Sequence, residues 1–328
     1  MKLNEKGYVF VSAGAALLVF LSFSALVTDL GHIYVTKSQL QNTADAAALA
    51  SVMGIPQGTE VARDKALDFG QSHYVAGSQI LIEDSGVVLG HYDYLTSTFY
   101  AGESPINSTW VMARRDENSP SGALPLFFGQ ILGQGYSNVR AVARAALDNH
   151  IVGVKGKNRL IPYSVINFVV DQDLDGEYDL GSVIDIHPRD DAPGNFGFLD
   201  LDYGSNDVPE LRQYIEEGYD SDFTIPPGGS VPVPGSPGIT GNSLLNSFHI
   251  ILNEIVFLPV HQSVVYEGDN AIFNVISILG VRIRDVKLNG NPAARYIKAE
   301  IVYYASSVLV TDPNAPPNNS LAKPRLVA

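Results

Sequence analysis

The chain has no cysteine, and that one absence removes disulfides, thiolate zinc centres, iron–sulfur clusters and cysteine nucleophiles together. Whatever stiffens the fold is packing or an oxygen-coordinated metal. Positive charge is scarce too: 21 Lys and Arg stand against 35 Asp and Glu, a formal net charge of −14. Nucleic-acid binding depends on Lys and Arg that displace counterions from phosphates, so no nucleic-acid partner is expected. The 7 histidines are scattered, with no pair at i, i+4 enclosing a Glu. No G-x-S-x-G elbow joins a strand to a helix, and no phosphate loop or dinucleotide fingerprint occurs; GVKGKNR at 153–159 lacks the GK[ST] ending. Carboxylates are plentiful, but glycoside hydrolysis requires a defined separation that sequence does not show. The reading is a non-enzyme.

What is present begins with VFVSAGAALLVFLSFSALV, Val9–Val27, which carries no charge. As a helix it is about 28 Å long, the thickness of a bilayer core. Val9, Leu17, Leu18, Phe20 and Leu21 are the lipid-facing candidates. The run exceeds the usual apolar core of a signal peptide, about 7–15 residues, which favours a retained anchor over cleavage near Ser22–Ser24. Lys2 and Lys6 precede it, Asp29 follows it, and no second span returns. The positive-inside rule therefore leaves the bulk outside the cytoplasm, in the periplasm or at the cell surface. Gly7 ahead of an apolar helix is similar to the processing point of type IV pilins and pseudopilins, with Ser12 where those carry Glu.

From Asp29 to Met53 only Gly31 interrupts helix formers, and Ile33, Leu40, Ala44, Ala47 and Ser51 recur at helical spacing. The membrane helix is thus expected to continue as one rod to about Met53, before Pro56. Its outer part, KSQLQNTADAAALASV at 37–52, has little bulk. Alanine favours helix and lets another backbone approach closely. Leu40, Ala44, Ala47 and Ala48 form a packing strip for the chain's own domain or for other subunits.

ALVTDLGHIYVTKSQLQNTADAAALA at 25–50 resembles the N-terminal signature of the TadE/TadG-like proteins of Flp pilus assembly. The stretches 87–115, 124–133, 139–147 and PGNFGFLDLD at 193–202 follow in the order that larger relatives show, with Phe198 where many have Trp. The resemblance runs to about Val286. It implies an envelope protein of the tight-adherence machinery without enzymatic activity, whose partners are the lipid bilayer and other pilus-assembly proteins or copies of itself.

Beyond the rod, residues 57–76 read as a second amphipathic helix. Strand-like runs follow at 78–83, 87–92, 98–100 and 108–114. LPLFFGQILG reads as a short helix ending at Gly133, and SNVRAVARAALD as an exposed edge strand with Arg140 and Arg144 solvated. Residues 159–170 suggest a buried strand, 208–219 and 241–254 helices, and 256–260, 271–286 and 296–304 further strands. The irregular mixture predicts an α+β fold with mostly antiparallel strands. The expected organisation is an anchor and extended helix over 1–54, one intertwined globular domain over 55–310, and a flexible tail over 311–328. IPPGGSVPVPGSPG at 225–238 is expected to be an exposed loop.

One motif carries chemistry. In DQDLDGEYDLGS, 171–182, Asp171, Asp173 and Asp175 stand at positions one, three and five of a calcium loop, Gly176 at six, Glu177 at seven as a carbonyl donor and Asp179 at nine. Ser182 replaces the usual bidentate Glu at twelve, and Asp185 is the substitute considered. Five carboxylates in nine residues repel unless a cation compensates them, so the loop is expected to hold structural Ca2+. Asp190, Asp191, Asp200, Asp202 and Asp207 either extend the site or keep the surface soluble. Three functions follow as expectations: a membrane-anchored assembly protein for Flp/Tad pili, a pilin-like filament subunit, or a surface adhesin acting through loops such as 225–238.

Overall fold

The computed structural model describes residues 5–186, 196–204, 207–236, 241–265, 271–291 and 294–327. His187, Asp190, Asp191 and parts of the 193–202 and 225–238 stretches lie outside the described residues. The fold is α+β. Residues expected as one intertwined domain divide into two compact units: Met1–Asp93, Ser97–Ala146 and Leu326–Ala328 make the first, and Tyr94–Thr96 and Leu147–Arg325 the second.

The first unit is built on α1, Glu5–Val52, a single helix of 48 residues, about 72 Å long. No proline interrupts it, and it stops where Gly54 and Pro56 deny further helical hydrogen bonds. The second helix, α2, is Thr59–Gln71. Gly54 lets the two meet: a Cβ there would lie 2.7 Å from Ala62 Cα. Four antiparallel strands complete the unit: β1 Val87–Asp93, β2 Thr98–Ala101, β3 Ser108–Arg115 and β4 Val139–Asp148, in the order β4-β3-β1-β2. The register pairs Thr109 with Ala145, Val111 with Ala143 and Ala113 with Ala141. These residues share one buried face, because side chains alternate along a strand. LPLFFGQILG is not the helix expected: Leu124–Pro125 pairs with Tyr136–Ser137, and only Gly129–Leu132 forms a 3₁₀ turn, ended by left-handed Gly133. Pro125 lacks an amide donor, and Gly129 and Gly133 have poor helix propensity, so the run does not close as an α-helix.

The second unit centres on long antiparallel strands. Its elements are β5 Ile151–Val154, β6 Tyr163–Ile166, α3 Asn167–Val170, β7 Val183–Asp185, β8 Phe196–Phe198, α4 Val208–Glu217, β9 Phe223–Thr224, β10 Val231–Pro234, α5 Leu245–Ile250, β11 Ile255–Val265, β12 Ile272–Lys287, β13 Tyr296–Ile301, β14 Leu309–Thr311 and β15 Leu321–Leu326. The main sheet runs β7-β13-β12-β11-β6-β8, with β10 on the free length of β12. Its one parallel pair is β6 with β11. Val256, Leu258, Val260, Leu279, Val281 and Ile283 pack with Leu211, Ile215 and Phe248 of α4 and α5. The opposite face, with Phe257, Phe273 and Val275, packs with residues of β5, β9 and β14.

Two expectations fail here. The stretch 225–238 is partly sheet: β10 pairs along Ile272–Val275 with Val233 fully buried. Pro232 and Pro234 are tolerated because the strand lies at an edge. The tail is not free either. Asn318 is 5% exposed and its amide donates to Ile278 O, while Ser320 Oγ receives the Gly280 N–H.

Candidate functional site

Helix α1 has two different halves. From Tyr8 to Val27 it is bare: Val9, Leu17, Leu18, Phe20 and Leu21 are all more than half exposed. This is the one helix, among the described residues, long and apolar enough to cross a membrane. Three of its hydroxyls bond back to the helix, as suits a hydrocarbon environment. Ser22, Ser24 and Thr28 hydroxyls donate to the carbonyls of Leu18, Phe20 and Ser24 at 2.8, 3.0 and 2.9 Å. From Thr36 onward the helix is covered on one side. Leu40, Ala44, Ala47, Ala48 and Val52 have no exposed surface, and the helix packs on α2 and β3. Ser51 Oγ meets Thr109 Oγ1 at 2.9 Å, so this side of the helix faces the small-residue face of the sheet. Gln41 Nε2 donates to Val142 O at 2.9 Å and to Asp45 Oδ1 at 2.8 Å, and Gln39 Oε1 accepts the Ala76 N–H at 2.9 Å. Alanine against alanine brings helix and sheet backbones close enough for these short polar bridges. The low bulk of 37–52 fits this internal dock.

Where the halves meet stands Asp29, 7% exposed. Its carboxylate accepts the N–H of Phe127 at 2.8 Å, of Phe128 at 3.1 Å and of Gly129 at 2.7 Å. The His32 ring lies 4.9 Å from that of Phe127. One side chain thereby ties the 3₁₀ turn to the helix, two residues beyond the apolar run.

The acidic loop leaves α3 at Asp171. Asp171 is 4% exposed; its Oδ2 accepts the Gly176 N–H at 3.2 Å, and its buried Oδ1 has no partner. Asp173 Oδ1 accepts from Asp175 N at 3.3 Å, Asp175 Oδ1 from Glu177 N at 2.8 Å, and Asp179 Oδ2 from Gln172 N at 3.0 Å. Left-handed backbone at Leu174 (φ 59) and Gly176 (φ 90) turns the chain tightly around these groups. One carboxylate oxygen each of Asp171, Asp173 and Asp175 can be chosen within 4.8 Å of the others. Among the described residues none of these carboxylates joins an ion pair with Lys, Arg or His. The exit is fixed: Asn319 accepts the Tyr178 N–H at 3.0 Å and donates to Tyr178 O at 2.8 Å. Burial, with the nearby Asp171 charge adding to it, pushes the Tyr178 hydroxyl up to about 12. Asp171, Gly176 and Tyr178 line a cavity of about 320 Å³ together with Asn167, Gln262 and Asn318.

Residues 7–54 match the family model described as Flp pilus-assembly TadE/G-like, and residues 37–145 match a second, described as Tad-like Flp pilus-assembly. Residues 7–145 are thus similar to Flp pilus-assembly proteins, with the TadE/G-like match confined to residues 7–54. The two matches overlap along the packed half of α1 and together span the anchor helix, α2 and most of the strands of the first unit. Neither reaches beyond residue 145, so the later stretches at 193–202 and onward rest on resemblance alone. No curated protein and no solved structure matches the chain.

Along α1 the sequence-derived helix residues divide cleanly: Val9 to Leu21 stand free, whereas Asp29, Leu40, Ala44, Ala47 and Ala48 are buried in the unit. In the second unit three of the six predicted metal ligands come together. Glu177 and Asp179 stay on the same loop outside that triad, and Asp185 lies on β7, where its Oδ1 accepts the Ile297 N–H at 3.1 Å. Among the remaining acidic residues, Asp207 caps α4 by accepting the Glu210 N–H, and Asp200 and Asp202 share the Gly204 N–H. The missed partners of Asp29, Phe127 to Gly129, lie about a hundred residues away. Their one signal in the sequence is the charge-free run from Ala123 to Asn138.

Proposed function

We propose that this chain is a membrane-anchored, non-enzymatic envelope protein that assembles or anchors Flp/Tad-type pili through protein–protein contacts, with its globular units outside the cytoplasm. The observation that carries the reading is the division of α1: a bare apolar half of membrane length continuing, without a break, into a half locked onto its own unit. A helix held in this way transmits a fixed orientation from the bilayer to the domain. The family matches support the place in pilus assembly, and Lys2 and Lys6 before the span support the orientation. The filament-subunit reading has less surface to work with, because Leu40, Ala44, Ala47, Ala48 and Val52 of the small-residue strip are already buried within the unit.

The test is to shear producing cells, separate surface filaments from membranes, and locate the chain by immunogold microscopy and N-terminal mass spectrometry. An N-terminus upstream of Gly7, found in the membrane fraction, is expected. Regular labelling along filaments with a terminus at Tyr8 would make it a processed subunit.

A further inference from the structure

We propose that the acidic loop of the second unit binds one Ca2+ through Asp171, Asp173 and Asp175. Asp171 is almost wholly buried, yet one of its carboxylate oxygens has no partner. A buried carboxylate oxygen without a donor is costly, and the neighbouring Asp173 and Asp175 add further negative charge. A cation removes both costs at once. Oxygens bound to one Ca2+ at about 2.3–2.6 Å stand at most about 5 Å apart, and the three candidate oxygens lie within 4.8 Å. The three carboxylates therefore stand close enough to converge on one ion by small side-chain movements. The exposed tip leaves room for water to fill remaining positions, which suits Ca2+ with its 6–8 flexible ligands better than octahedral Mg2+. With Ser182 at the twelfth position the site lacks a bidentate Glu, so the expected Kd is about 10⁻⁴–10⁻³ M, the range of extracellular modules.

The test is isothermal titration calorimetry of the full chain in detergent with CaCl₂, then with MgCl₂, alongside thermal melts. One Ca2+ per chain and a rise in Tm of about 5 °C at 10 mM Ca2+ are expected. The exposed pair Asp173→Asn with Asp175→Asn should keep the fold and lose both effects. No heat or Tm change up to 10 mM Ca2+, an unchanged response in the double variant, or a preference for Mg2+ would each overturn the assignment.

A separate observation carries a second inference, which rests on the membrane-anchor reading. The turn tied to Asp29 exposes Phe127, Phe128 and Ile131 at 62%, 41% and 80%. It belongs to the charge-free run from Ala123 to Asn138, which also exposes Tyr136. Asp29 follows the last residue of the apolar span by two positions, about 3 Å along the helix. The geometry points to these side chains as a second contact with the lipid bilayer, seated in the headgroup zone beside the emerging helix. Aromatic residues favour that zone, where an apolar ring meets a wet boundary. Because the chain lacks cysteine, single labels are unambiguous: Phe20→Cys and Ile131→Cys, each carrying an environment-sensitive fluorophore, are reconstituted into phosphatidylcholine–phosphatidylglycerol vesicles with brominated lipids. Quenching is expected at both positions, shallower at Ile131→Cys. Quenching at Phe20→Cys alone overturns the contact while keeping the anchor. Absence of quenching at both overturns the anchor itself.

Discussion

Asp29 joins the apolar half of α1 to the 127–129 turn, and its removal tests that junction directly. In Asp29→Ala the helix keeps its propensity, since Ala is the better helix former, but the N–H groups of Phe127, Phe128 and Gly129 lose their acceptor. A buried amide left unsatisfied costs about 1–3 kcal/mol. Only the Gly129 bond is fully buried, while the two phenylalanine amides lie near exposed residues and recover water in part. The expected loss is therefore about 2–4 kcal/mol, well below the simple sum for three amides. For a unit of this size that lowers Tm by about 5–15 °C. Asp29→Asn should cost nearly as much, because its amide nitrogen turns a donor toward donors. Hydrogen exchange of the full chain in detergent reads the effect directly: the amides of 127–129 are protected in the wild type and exchange at least ten times faster in both variants. If those amides exchange at wild-type rates in Asp29→Ala, the carboxylate does not hold the turn, and the reasoning about the junction is wrong.

Three further outcomes are expected. Gly54→Ala puts a Cβ 2.7 Å from the Ala62 backbone, so the turn between the first two helices must open; a loss of about 1–3 kcal/mol in urea unfolding is expected, and an unchanged midpoint would refute the close approach. Arg115, 7% exposed, donates to the carbonyls of Val75, Ser121 and Gly122, and Arg115→Met should cost about 2–4 kcal/mol by leaving buried acceptors unpaired, again read from the urea midpoint. Burial above all, with Asp202 beside it, holds the Asp200 carboxyl above its ordinary 3.8; the neutral form is favoured in the fold, so its contribution is complete below that value and lost as pH rises through the folded value. Urea unfolding from pH 3 to 7 should show that decline in the wild type and a flatter profile in Asp200→Asn; parallel profiles would remove the assignment.

The elements legible in the sequence are those whose cause is local. A charge-free run, the absence of proline between Glu5 and Val52 and the punctuation at Gly54 and Pro56 are enough to write α1, and apolar β-branched runs are enough for β12 and the first half of β11, whose continuation from His261 to Val265 is more polar. Partners across the chain are not written locally. Proline density in 225–238 and 311–328 reads as open chain, yet Val233 is drawn into a core by Phe273, and Asn318 is held by the Ile278 carbonyl. The same limit applies to the sites. The spacing of Asp171, Asp173 and Asp175 is a loop property and shows in the sequence; the burial of Asp171 depends on how α3 and the C-terminal segment pack, and does not. Asp29 reads as a charge flanking a membrane span, and its role as acceptor for a distant turn depends on the whole first unit.

The alanine-rich half of α1 also bears on how force or orientation passes through the molecule. A helix docked through long side chains retains rotational freedom, because Leu and Met can repack among rotamers. Here the contact is made by Ala44, Ala47 and Ala48, with Thr109, Val111 and Ala113 on the facing side of the sheet, and by the Ser51–Thr109 and Gln41–Val142 hydrogen bonds. The alanines have no rotamers through which the contact could repack, and the two hydrogen bonds tie the helix to the sheet at fixed points, which favours one azimuth relative to the unit. Asp29 then fixes the same azimuth a further three turns toward the membrane by holding the 127–129 turn. Bulk added to the strip would not merely cost packing energy. It would lift the helix off the sheet, break the short polar bridges and release the bare half to swivel, which is why the seam is built from residues too small for an ordinary core.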